Sequence, residues 1–105
     1  MKKKIRVIIK HPHERIGHYA EIPNDLKALQ QAVDGHIETV YLDEGVILIV
    51  NEEGKIRGLP RSFQTHYDTI VGTAVLCGQC GDEFADCPIS LRTWETTLRA
   101  WGNRL

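Results

Sequence analysis

Residues 46–60, VILIVNEEGKIRGLP, constrain the fold more than any other segment. Val46 to Val50 is an unbroken run of β-branched and aliphatic residues with no polar member. Such a run reads as a strand covered on both faces, and it is the candidate central strand of a sheet. Asn51-Glu52-Glu53-Gly54-Lys55 then reads as a tight turn. Lys55 to Gly58 reads as a short return strand stopped by Leu59-Pro60.

The flanking segments extend this pattern. Residues 4–10 put Ile5, Val7 and Ile9 on one face and Arg6, Ile8 and Lys10 on the other, the alternation of a half-buried strand. His11-Pro12-His13 breaks it, Gly17 ends the loop, and residues 18–22 read as a second strand. Pro23-Asn24-Asp25 starts a helix with Asn24 or Asp25 as N-cap. Leu26, Leu29 and Val33 form its apolar face, and Gly35 is free to take a positive φ at its end. Residues 36–42 alternate again, with Glu38, Val40 and Leu42 sharing a face, and Asp43-Glu44-Gly45 turns the chain into the aliphatic run. Residues 60–67 read as an irregular loop around Phe63. Residues 68–77 read as one strand, with a bulge or close backbone approach at Gly72, and residues 78–81 as a turn. Ser90 can cap a last helix over about residues 90–101, with Leu91, Trp94, Leu98 and Trp101 as its stripe and Gly102 as its stop. If the sheet leaves that stripe uncovered, it becomes a homodimer contact.

The order β-β-α-β-β-β-β-α predicts a single α+β domain over residues 1–105. The expected layout is a mostly antiparallel sheet of about five to six strands with two helices packed on it. Hydrophobic residues at 42% and charged residues at 26% fit a globular chain and exclude a disordered one. No apolar run approaches the ~20 residues that span a bilayer, and the run after the N-terminal lysines is too short for a signal peptide. A cytoplasmic location without membrane contact is therefore expected. Three cysteines, an odd number, argue against a disulfide framework in that setting.

The net charge of −1 gives no global attraction for nucleic acid. The charge is uneven, however. Residues 1–20 carry six basic groups (Lys2, Lys3, Lys4, Arg6, Lys10, Arg15) against Glu14 alone. That end can contact phosphate, or its lysines can discourage edge pairing of the first strand.

Several constellations carry candidate chemistry. Cys77-Gly78-Gln79-Cys80 followed by Cys87 has two thiols at a zinc-clasp spacing, with His66, His36 or Asp86 as a fourth ligand. The alternative is a buried Cys77 acting as a small hydrophobe, a turn residue at Cys80 and a core-edge Cys87. His11, His13 and His18 gather around a Pro/Gly loop beside Glu14, where imidazoles bind metal, move protons or merely decorate a loop. Lys55, Arg57 and Arg61 stand near Phe63, His66 and Tyr67. Arginines suit phosphate and the aromatic rings could stack on a base, so this segment is the candidate ligand or partner surface. The alternative is a solvated turn whose arginines pair with Glu52 and Glu53. No nucleophile elbow or phosphate-binding loop is present.

NDLKALQQAVDGHIETVYL, VILIVNEEGKIRGLP, YDTIVGTAVLCG and DEFADC, in that order, resemble the domain-of-unknown-function family DUF3846 over roughly residues 18–87. The resemblance implies a small accessory domain of bacteriophages, plasmids and mobile elements, and it supplies no catalytic residues. Cys80 and Cys87 depart from the family's usual pattern, so a cysteine-based function would be particular to this chain. The reading that follows is a non-enzymatic accessory binding protein, with counter-defence as one role, that takes a host protein or a small nucleotide-like ligand. Its alternatives are a zinc-stabilised module on the three cysteines and a nucleic-acid contact through the basic N-terminus. An enzyme comes last.

Overall fold

Val46 to Val50 forms a strand in which every residue is buried, as its composition requires. The computed structural model describes residues 3–43 and 45–105. Lys2 of the basic end and Glu44 of the turn at 43–45 lie outside the described residues. In chain order the elements are β1 (Lys4–Lys10), β2 (His18–Pro23), α1 (Leu26–Val33), β3 (Ile37–Asp43), β4 (Val46–Asn51), β5 (Arg61–Gln64), β6 (Thr69–Val71), β7 (Ala74–Cys80), β8 (Glu83–Ala85) and α2 (Leu91–Ala100). The main sheet runs β2-β1-β7-β4-β3, with β8 also paired to β7, and β5-β6 forms a separate hairpin. Every pairing among the described strands is antiparallel. This is the α+β architecture that the sequence predicts.

The central strand is β7, not β4. Ala74 to Cys77 is as thoroughly buried as β4, and β7 lies between β1 and β4. The alternation along β4 divides the interior in two. Ile47 and Ile49 pack with Ile5, Val7, Val75 and Cys77 under Leu29 and Val33 of α1. Val46, Leu48 and Val50 pack with Ile8, Leu76, Phe63 and Ile70 under Trp94 and Leu98 of α2. A sheet with helices on opposite faces needs strands apolar on both sides, and β4 and β7 are. Trp94 and Leu98 of the α2 stripe are therefore core, with Leu91 and Trp101 partly buried against them. No helix among the described residues is long and apolar enough to cross a membrane.

Caps fall where the side chains demand. The Asp25 carboxylate accepts from Ala28 N at 2.8 Å, and Ser90 Oγ accepts from Thr93 N at 3.1 Å. Gly35 takes the positive φ expected at the end of α1, at 157°, and Asp34 before it takes the left-handed conformation, with φ 60°. Aspartate tolerates that region better than most residues, and Arg57 holds both its carbonyl and its carboxylate. Leu26 stays exposed, so the eight-residue helix buries only Leu29 and Val33.

Three further expectations are corrected. Residues 55–58 are turn, not strand. Asn51 Oδ1 accepts from Glu53 N, Arg57 N donates to Glu53 O, and Leu59 N donates to Gly54 O, so the backbone donors are satisfied locally. The expected loop at 60–67 contains β5, and the expected strand at 68–77 is split into β6 and β7. Gly72 makes the split. It has φ 74°, and a Cβ there would lie 2.8 Å from Leu59 Cδ1. β2 is the edge strand, but β1 pairs with β7 only over Ile8 to Lys10, so Lys4 lies beyond that pairing.

Candidate functional site

The six residues of the candidate surface separate in the fold. Lys55 forms an ion pair with Asp68, and together with the Thr69 N–H it holds that carboxyl below the usual range. Arg57 leaves for the end of α1, where Nη1 donates to Asp34 O at 2.7 Å and Nη2 meets Asp34 Oδ2 at 3.3 Å. Among the described residues neither Arg57 nor Arg61 forms the ion pair with Glu52 or Glu53 that the alternative reading expected. Phe63 is buried, edge-on to Trp94 at 5.3 Å and stacked near Trp101 at 6.3 Å, so it is core and cannot stack on a base. His66 and Tyr67 occupy the tip of the β5-β6 hairpin with their rings 6.2 Å apart.

What remains at that end is a pair of apolar side chains in water. Ile56 is 87% exposed and Tyr67 is 97% exposed. Each is the chain neighbour of one member of the Lys55–Asp68 ion pair, so the pair brings the two segments together. Beside them lies a cleft of about 260 Å³, lined by Glu38, Val40, Lys55, Ile56, Thr69 and Ile70 among others.

Arg61 belongs to a different group. It lines a cleft of about 400 Å³ with Lys10, Glu14, Arg15, Ser62 and Arg104. Lys10 is only 3% exposed, although the alternation of β1 had put it on a solvated face. Its Nζ donates to Glu14 O at 2.8 Å, Ser62 O at 3.2 Å, Ser62 Oγ at 3.3 Å and His11 O at 3.4 Å. Burial pulls its pKa down, Glu14 opposes that, and Arg61 adds to it. The sequence signal for this site is one lysine in phase with Ile8; nothing local joins Lys10 and Arg15 to Arg61 and Arg104.

The histidine loop condenses around Glu14. The His11 and His13 rings stack at 5.6 Å, and the His11 and His18 rings are 5.8 Å apart. His18 Nδ1 meets Glu14 Oε2 at 2.8 Å, Glu14 Oε1 accepts from His11 N at 2.9 Å, and His11 Nδ1 bonds Thr73 Oγ1 at 2.8 Å. Burial raises the Glu14 pKa, but these hydrogen bonds and the two imidazoles outweigh it and leave the carboxyl below its usual range. Among the described residues no group of three or more His, Cys, Asp or Glu is arranged to hold a metal ion.

The cysteines do not form the expected clasp. Cys77 and Cys80 lie three apart in one strand, so they leave opposite faces of β7. Gly78 is strand too, and a Cβ there would lie 2.3 Å from Asp86 O. Cys77 is buried in the α1-side core and Cys87 in the α2-side core. Burial, and secondarily Cys87, pushes the Cys77 thiol up to about 12; burial also raises Cys87. Cys80 is exposed. A thiol-specific chromogenic reagent at neutral pH should therefore titrate one thiol per native chain and all three after denaturation. Protection of Cys80 in the native protein, relieved by a chelator, would restore the zinc reading.

The fold and these surfaces define a small α+β protein with an exposed apolar pair, Ile56 and Tyr67, and a separate basic cleft. The model of the domain of unknown function DUF3846 matches residues 5–98, and the chain belongs to that family. The match takes in most of β1 and most of α2 as well as the segments that carried the resemblance. No curated protein and no solved structure matches the chain.

Proposed function

We propose that this chain is a non-enzymatic accessory protein of a phage or mobile element that acts by binding a host protein in the cytoplasm, with counter-defence as its role. The observation that carries the reading is the pair Ile56 and Tyr67, almost wholly exposed on either side of the Lys55–Asp68 ion pair. A large aromatic and an aliphatic residue rimmed by charges are the anchors that a protein interface uses. Surface ion pairs such as Lys55–Asp68 and Arg57–Asp34 are worth little and can be exchanged for a partner's charges. The accessory character and the phage setting are only what the sequence resemblance implies; the family match itself assigns no function.

Affinity capture from host lysate tests it. The native chain should retain a host protein that Ile56→Asp together with Tyr67→Asp loses by at least about tenfold, since each anchor is worth ~2 kcal/mol or more. Both side chains are exposed, so the variant's melting temperature should stay close to the native one. Equal capture by both proteins would remove this surface.

A second reading is a small nucleotide-like ligand. It is favoured by the departure of Arg61 from this end to join Lys10, Arg15 and Arg104.

A further inference from the structure

We propose that the cleft between the 10–15 loop, β5 and the segment after α2 binds a phosphate-bearing anion, with Arg61 and Arg104 as its contact groups. The inference deepens the small-ligand reading above. Four cations from three distant parts of the chain meet here: Lys10, Arg15, Arg61 and Arg104. Three segments each bringing positive charge to one place repel one another unless a counter-charge is close. Glu14 offsets Lys10 and Glu95 pairs with Arg15, so among the described side chains no carboxylate is ion-paired with Arg61 or Arg104. Both Glu14 oxygens face His11 N and His18. Glu95 is shared by two guanidiniums, Arg15 at 3.3 Å and Arg99 at 3.1 Å.

The cations divide the work. Lys10 points its ammonium at four protein oxygens and 5.7 Å from the centre of the Phe63 ring, so it supplies field rather than contact. A desolvated charge acts at longer range than a solvated one. Arg61 and Arg104 are exposed at the rim, and a guanidinium fork matches two phosphate oxygens. Their backbones are held in place. Asn103 Oδ1 accepts from Gln64 N at 2.9 Å, and Asn103 Nδ2 donates to Gln64 O and Leu98 O at 2.9 Å each. The chain beside Arg104 is thereby stitched to Gln64, at the other end of β5 from Arg61, and Arg61 Nη2 donates to Gln64 Oε1 at 3.3 Å, so the two backbones need no rearrangement to meet a ligand. The cleft, at about 400 Å³, is within the range of small-ligand sites.

Calorimetric titration of the whole chain at low salt tests the proposal, with inorganic pyrophosphate in one arm and ATP in the other. Pyrophosphate should bind, and Arg61→Gln with Arg104→Gln should weaken it at least roughly tenfold, the loss expected when a charge-assisted hydrogen bond is removed. Arg57→Gln, outside the cleft, should bind as the native chain does. Equal affinity for the two ligands means that phosphate alone is read; tighter ATP binding means that the nucleoside is seated as well. Both outcomes support the site. No heat of binding from either ligand at millimolar concentration, or full binding by the double variant, overturns it. Host-protein capture through Ile56 and Tyr67 is unaffected by these substitutions, so either proposal can fail alone.

Discussion

Trp94→Ala should lower the melting temperature by roughly 15 °C or more. Trp94 is 1% exposed and is the largest fully buried side chain. Its ring lies edge-on to Phe63 at 5.3 Å and to Trp101 at 5.7 Å, and Nε1 donates to Ile16 O at 2.9 Å. Truncation removes the contact that holds α2, the β5-β6 hairpin and the 11–17 loop to one face of the sheet. Loss of a buried tryptophan costs about 3–5 kcal/mol, against about 5–15 kcal/mol for a whole domain. In a chain of this size each kcal/mol shifts the melting temperature by about 4–8 °C. Trp94→Phe keeps most of the ring and loses the hydrogen bond, so about 1–2 kcal/mol is expected there. Thermal melts of the three proteins decide the matter. A shift under about 5 °C for Trp94→Ala would mean that α2 packs too loosely to anchor the fold.

That prediction rests on residues the sequence already marks. The stripe Leu91, Trp94, Leu98, Trp101 is written at helical spacing, and the run Val46 to Val50 announces a strand covered on both faces. Local chemistry also announces the cap at Ser90, narrows the other cap to Asn24 or Asp25, and marks Gly72 as irregular, though not as the end of a strand. What stays hidden is set at a distance. β7 becomes the central strand because its partners are β1 and β4, which no window of sequence links to it. Phe63 looks like a loop aromatic until β5 turns it between two tryptophans. The charged residues around it scatter for the same reason: Lys55 goes to Asp68, Arg57 to Asp34, and Arg61 to the basic cleft. The cysteine spacing misleads because it presumes a turn, and a strand at the same positions sends the sulfurs apart.

Lys10 is the clearest case of a position whose role no pattern discloses, and its replacement should be among the costliest. Lys10→Met is expected to destabilise the fold by about 3 kcal/mol. Methionine fills nearly the same volume, so packing is largely kept. The loss lies in the oxygens left behind: the part-buried Glu14 O, Ser62 O and Ser62 Oγ lose their donor, and each polar group left unsatisfied costs up to about 1–3 kcal/mol. An opposing effect exists, because methionine escapes the desolvation that lowers the lysine's pKa. Replacing both members of a buried ion pair by apolar residues can even stabilise a protein. Here the partners are mainly backbone carbonyls, which the substitution cannot remove, so the loss prevails. The pH dependence separates the two effects. Between the lowered folded-state value and the ordinary 10.5, the unfolded chain holds a proton on Lys10 that the folded chain lacks. Stability contributed by this residue therefore rises with pH across that window. The gap between the native protein and Lys10→Met, measured by denaturant titration, should accordingly widen from neutral pH toward 10.5. A variant as stable as the native chain at neutral pH would mean that charge burial, not carbonyl satisfaction, dominates at the junction of β1 and β5.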